Sequence, residues 1–224
     1  MTLISDTIRN RILAAGGKFF CNDNISDFIQ TGEQALLIDE IEEKVQSLLE
    51  SLIVDTNNDH NTKETAKRVA KMFVLETFSG RYESRPKITA FPNIDGAYDE
   101  IYVTGPLTIR STCAHHMAPI IGKCYIGVFP GDNVIGLSKF NRLVDWIVSR
   151  PTIQEEMTIQ IANEMQAVTK AKGIAILVQA EHGCMSLRGV KEHSPMMTTS
   201  VMRGLFNEHP HIKKEFFDIV ARHP

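Results

Sequence analysis

The chain is 224 residues long, 43% hydrophobic, and carries a formal net charge of −3. That length buries one substantial core with room for a smaller appendage. The slight acidic balance excludes the broad basic field that holds nucleic acid without sequence preference, so any anion site has to be local.

Asp6, Arg9 and Arg11 fall before any long apolar run, which argues against a secretory leader, and no window reaches membrane-spanning length. In the soluble cytoplasmic protein this implies, the four cysteines, Cys21, Cys113, Cys124 and Cys184, are expected as reduced thiols or metal ligands. Within the first thirty residues, Ile8 to Ala15 reads as a helix, while Gly16-Gly17 and Asn22 to Asn24 suggest a mobile arm with no assigned function.

From Glu33 to Val54, Leu37, Ile41, Val45, Leu48 and Leu52 recur at three- and four-residue steps with acidic residues between them, which predicts an amphipathic scaffold helix. Asp55 to Asn61 is a polar loop, and Asn61 with Glu64 three places later predicts a second helix start, running to about Phe78. Beyond Gly80 the pattern changes to β-rich runs at Asp99 to Val103, Lys123 to Phe129 and Gly173 to Gln179, with Pro130 to Asn133 read as a hairpin turn. Helices are predicted over 139–149, with Phe140, Leu143, Val144, Ile147 and Val148 on one face, and over 153–172, ended by Gly173. Helices first, then an antiparallel sheet carrying a helical pair, give an α+β class.

Cys113-Ala114-His115-His116 is the densest group of metal-ligand types, and His182-Gly183-Cys184 is the only comparable one. Two thiols and three imidazoles suit zinc. A catalytic zinc keeps one position open and takes three protein ligands. Cys113, His116 and Cys184 are assigned to the metal because Cys113 and His116 converge across a turn after a strand, with His115 pointing elsewhere. Strand alternation places Val178, Ala180, His182 and Cys184 on one face, making His182 a candidate proton shuttle. Cys21 and Cys124 are read as ordinary buried cysteines.

Lys139 and Arg142 put two cations at a helix start that already carries partial positive charge, with Ser138 as the expected N-cap. A bound anion resolves that conflict; a plain cap with two solvated cations also satisfies the pattern. Arg68 and Lys71 share a helical face, and Arg188 lies two places after Ser186 in the strand expected to carry Cys184. Nothing in their spacing requires them to converge. Thr152 with Glu155 reads as a capping box, although a carboxylate is also what a site uses to accept two guanine N–H donors.

Together, Cys113 to His116, Gly122-Lys123, Val134 to Lys139, Arg142, Gln154-Glu155, His182 to Cys184 and Arg188-Gly189 resemble the GTP cyclohydrolase I family. Arg68 to Met72 and Phe78 to Gly80 resemble it too. The resemblance covers roughly Leu36 to the C-terminus. It implies a tunnelling fold, a small antiparallel sheet with two helices on one face, stacked as a homodecamer with active sites between subunits. It divides the chain into an arm at 1–30, a helical region at 31–80 and a catalytic domain at 81–224. Cys113, His116 and Cys184 would hold Zn2+, and His115, His182 and Ser138 would be catalytic. Arg68, Lys71, Ser138, Lys139, Arg142 and Arg188 would cradle the triphosphate of GTP, and Glu155, supported by Gln154, would anchor the guanine.

The implied reaction is zinc-assisted hydrolysis at purine C8 with loss of formate, followed by ribose rearrangement to 7,8-dihydroneopterin triphosphate, with no redox cofactor. The chain departs from the family pattern at Ala114, where glutamate is usual, at Ala66, where proline is usual, and at Glu156, where a basic residue is common. Those departures leave three alternatives: a diverged enzyme that stops at a ring-opened intermediate or serves a deazaguanine pathway, a silent subunit that retains zinc and nucleotide binding, and a related nitrile reductase.

Overall fold

The structure, a computed structural model, describes residues 3–96, 98–192 and 195–222. The chain divides into two compact units, Met1–Ser84 and Arg85–Pro224. No helix among the described residues is long and apolar enough to cross a membrane.

The first unit is helical: α1 (Ile4–Ala14), α2 (Glu33–Ser51), α3 (Thr65–Met72), a π-helical turn at Phe73–Thr77 and a short α4 (Ser79–Tyr82). Ile8, Ile12 and Ile25 form its small core, with Ile4, Phe28, Ile29 and Tyr82 packed against them. Hydrogen bonds hold α1 to α2, with the Ser5 hydroxyl donating to Glu40 at 2.6 Å and the Arg11 guanidinium donating to both Glu33 oxygens at 2.8 and 2.9 Å. Asn24 donates to the Gly80 and Glu83 carbonyls at 2.8 and 2.7 Å, which ties the segment after α1 to α4.

Several local expectations change here. The apolar stripe of α2 is only partly covered, because Leu37 is buried while Leu48 and Leu52 are 58% and 63% exposed. Asn61 does not start α3: its backbone and side-chain N–H groups donate to Asp59, and the helix begins four residues later. Cys21 is exposed and so is not a core cysteine.

In the second unit, β1 (Ala90–Pro92) and β4 (Asn133–Ile135) form a two-stranded antiparallel ribbon. The main sheet comprises β2 (Tyr102–Cys113), β3 (Pro119–Phe129), β5 (Pro151–Thr152), β6 (Gly173–His182) and β7 (Met196–Gly204), in the order β5-β2-β3-β6-β7. It is antiparallel throughout except for the two-residue parallel pairing of β5 with β2. The unit also carries α5 (Leu137–Val148), α6 (Gln154–Thr169), the short α7 (Gly183–Ser186) and α8 (Leu205–Glu208), and the C-terminal α9 (Pro210–Ala221). Helices and a predominantly antiparallel sheet bear out the α+β class.

Alternation along β3 and β6 sorts their side chains onto two faces. Ile120, Cys124, Ile126 and Val128 of β3 join Ile174, Ile176, Val178 and Ala180 of β6 in a core with α5 and α6. Tyr125, Ala175 and Leu177 face the other way, against Phe206, Ile212, Phe216 and Val220 of α8 and α9. The five apolar residues expected on one face of α5 are all buried. Burial pushes the Cys124 thiol far up, consistent with an inert core residue.

Pro130 to Asn133 is not a hairpin turn, because β4 pairs with β1 and not with β3. The strand expected from Asp99 starts at Tyr102 and runs twelve residues, to Cys113. Gly173 does not end α6; Lys170 does, in the left-handed region at φ 48°, and Gly173 opens β6. Gly122 is required by close approach, since a Cβ there would lie 2.1 Å from the Gln179 carbonyl of β6.

Candidate active site

The hairpin between β2 and β3 and the end of β6 bring the ligand types together. Cys113 closes β2, and the turn after it is held by Met117 N–H to Cys113 O at 2.9 Å and Cys113 N–H to Ala118 O at 2.8 Å. That turn folds His116 back toward Cys113. Cys184 arrives from the other side on α7, directly after β6, so it is not on the strand as the alternation pattern suggested. Gly183 makes this approach possible, because a Cβ there would meet Pro119 at 3.0 Å.

The ligand atoms of Cys113, His116 and Cys184 all lie within 4.8 Å of one another. In a tetrahedral zinc site, bonds of about 2.0–2.3 Å place donor atoms roughly 3.5–3.8 Å apart, so small side-chain movements bring this set into range. The donor set also fits: Cys113 is 4% exposed, and two thiolates with one imidazole leave a fourth position open. Burial, then the hydrogen bond with the Cys113 thiol, raises the Cys184 pKa, while the charge of Arg188 acts the other way. The resistance of the Cys184 thiol to ionisation is what a bound cation relieves. His115 is exposed on the same turn, its ring centroid 6.4 Å from that of His116, and is outside the three-residue group.

His182 ends β6 on the same face as Val178 and Ala180, as alternation predicts. Its Nε2 lies 2.8 Å from Oε1 of Gln154, the first residue of α6. Burial lowers the His182 pKa, and the negative charge of Glu155 raises it. Gln154 has no exposed surface, and its amide nitrogen donates to the Met197 carbonyl at 3.0 Å, Thr199 Oγ1 at 3.1 Å and the Val178 carbonyl at 3.2 Å. Thr158 and Thr199 complete this group through a 2.7 Å hydroxyl contact. Sequence reasoning missed both threonines, and the only local signal was Thr158 one turn after Gln154.

The capping box does not form. Ile153 is the N-cap of α6, with no side-chain cap bond, and the Thr152 hydroxyl donates to the Ile153 carbonyl at 3.0 Å. Glu155 is therefore an exposed first-turn carboxylate with no capping duty. Ser138 is likewise not an N-cap: Gly136 holds that position in α5, and Ser138 is the second helical residue, exposed, with Lys139 and Arg142 following. Lys139 Nζ lies 3.5 Å from the Lys87 carbonyl. Arg188 sits beyond α7 in a bend, not in a strand, and Arg68 and Lys71 are exposed on α3 in the first unit.

The profile of the family described as GTP cyclohydrolase I matches residues 41–221. The chain is 38% identical to the GTP cyclohydrolase 1 of Flavobacterium johnsoniae over 82% of its own length and 81% of that protein. It is 37% identical to the Shewanella loihica protein of the same name over 80% and 83%, and 38% identical to that of Haemophilus ducreyi over 82% and 84%. Among solved structures, an archaeosine synthase QueF-Like in the apo form overlaps at a TM-score of 0.37 and 12% identity, covering 55% of this chain and 97% of its own, too slight a likeness to argue from. With the profile spanning most of the chain and identity sustained over four fifths of it, the protein belongs to the GTP cyclohydrolase I family.

Proposed function

We propose that this GTP cyclohydrolase I-type hydrolase opens the purine ring of GTP at C8 in a zinc-dependent reaction, releases formate and forms 7,8-dihydroneopterin triphosphate. The observation that carries the reading is the convergence of Cys113, His116 and Cys184 within 4.8 Å from two distant segments, beside a histidine that is not part of the set.

A zinc ion held by these three residues supplies Lewis acidity for the hydrolytic step. His115 donates a proton to N7 as C8 is attacked, and His182 with Ser138 moves protons during the ribose rearrangement. Glu155, exposed and without a capping role, accepts the guanine N–H donors, and Gln154 supports that region. Lys139, Arg142 and Arg188 neutralise the triphosphate, helped by the N-terminus of α5. The β7 edge, paired on one side by β6, suits sheet extension between copies, which supports a homodecamer with active sites at subunit interfaces. The cytoplasm is the proposed location.

Ala114 favours one second reading, an enzyme that stops at a ring-opened intermediate, because a carboxylate usual in the family is missing beside the proposed ligands. Incubating the purified protein with GTP and zinc while measuring formate and pterin fluorescence separates the two. Formate with fluorescence supports the full reaction, and formate without it supports the truncated one. Neither product from a zinc-loaded, intact oligomer overturns both in favour of a silent homologue.

A further inference from the structure

We propose that Gln154 is a positioning residue, not a contact to the base: it fixes His182 with a proton on Nε2, so that Nδ1 is the nitrogen that exchanges protons with substrate. The inference rests on the reading of His182 as a proton carrier, and the hydrogen-bond geometry around Gln154 carries it.

The Gln154 side chain has no exposed surface, so a substrate reaches it only by displacing protein. Its amide orientation follows from its neighbours. One end faces the Met197 and Val178 carbonyls at 3.0 and 3.2 Å, and carbonyls only accept, so that end is the NH2 group. The opposite assignment would set three oxygens against one another.

The third partner, Thr199 Oγ1, is settled by proton accounting. The Thr158 hydroxyl spends its single proton on the Gln154 main-chain carbonyl at 2.7 Å, so the 2.7 Å contact between the two threonines requires Thr199 to donate. Thr199 Oγ1 then has only lone pairs left for Gln154, at 3.1 Å, so it too faces the NH2 end, whose two protons are shared among three acceptors.

Oε1 is therefore the atom turned to His182, and at 2.8 Å from Nε2 it can only accept. A neutral His182 must carry its proton on Nε2 and its free lone pair on Nδ1. Cross-strand pairing makes the arrangement rigid, since Val178 sits opposite Thr199 and Ala180 opposite Met197 in the β6–β7 ladder. The first residue of α6 is thereby locked to both strands.

Two variants and one spectroscopic measurement test the assignment on the zinc-loaded protein. Gln154→Met keeps the volume and removes the polar atoms, and Thr199→Val removes one acceptor with less risk to folding. Formate release is expected to fall about 10–100-fold in kcat for Gln154→Met, with a smaller fall for Thr199→Val, while KM for GTP stays within about twofold. A rise in KM at constant kcat would mean that Gln154 holds substrate and would overturn the proposal.

In parallel, solid-state nitrogen NMR of protein labelled with [15N]histidine, with His182 assigned by difference from His182→Asn, reads the tautomer directly. The expected signals are a protonated Nε2 and a bare Nδ1; a ring protonated at Nδ1 alone would sink the idea, whether or not Gln154→Met folds. Wild-type protein that releases no formate from GTP would remove the proposed function while leaving the tautomer answered by the NMR.

Discussion

At the scale of single residues, the proposed site depends on one thiol that arrives from a distant stretch of the chain, at the end of β6 that pairs with the start of β3. Cys184 on α7 completes a group whose other two members sit on one hairpin. Cys184→Ala leaves a two-ligand site that binds zinc weakly, so zinc content by metal analysis and formate release are both expected to fall to background. Retained zinc with normal turnover would remove Cys184 from the ligand set. Arg188 provides a contrast, because its charge acts on Cys184 without supplying a donor atom to the group. Arg188→Ala should keep zinc while raising KM for GTP, if its role is toward phosphate. The sequence made the Cys113, His116 and Cys184 group legible through clustering and residue type. It did not make Gln154 legible as a partner of His182, because the two are 28 residues apart and on different elements.

At the scale of elements, the joint between α1 and α2 is the clearest electrostatic device. Glu33 is 8% exposed and accepts two bonds from Arg11, which, with the Gln30 backbone N–H, hold its pKa down to about 2 from an ordinary 4.5. A carboxyl depressed in the folded state contributes stability above its unfolded pKa and loses it as the pH falls through the folded value. Thermal melts followed by circular dichroism should therefore drop between about pH 5 and pH 2, and Glu33→Gln should flatten that dependence while lowering stability at neutral pH. An unchanged acid profile in the variant would show that other carboxylates dominate. Local patterning failed at α5 and α6 for a related reason. Ser138 and Thr152 are good cap residues by type, yet Gly136 and Ile153 hold the N-cap positions, because the strands that precede each helix set where the chain turns.

At the scale of the whole chain, α9 closes the second face of the sheet with Phe216, which is fully buried against Phe206 at a ring separation of 5.9 Å. Phe216→Ala is expected to cost about 3–5 kcal/mol, read as a lowered denaturation midpoint. Because Phe216 lies on the sheet face opposite the one that carries His182, residual folded protein should keep its KM for GTP. The proposed decamer gives a further expectation: activity per chain should fall when dilution dissociates the oligomer, with mass photometry following the assembly. Full activity in a monomer would place the complete site within one subunit.

The sequence by itself determined the α+β class, the buried face of α5, the alternation that sets His182 on the α5/α6 side of the sheet, and the donor types of the Cys/His group. Each is written in local periodicity or in the chemistry of a short motif, which survives any tertiary arrangement. Only the tertiary structure decided that Cys184 reaches Cys113 from a helical turn, that β4 pairs with β1, and that a wholly buried glutamine faces His182. Those outcomes depend on which strands lie side by side. Strand pairing is decided by burial across the entire sheet, a quantity that no window of neighbouring residues contains.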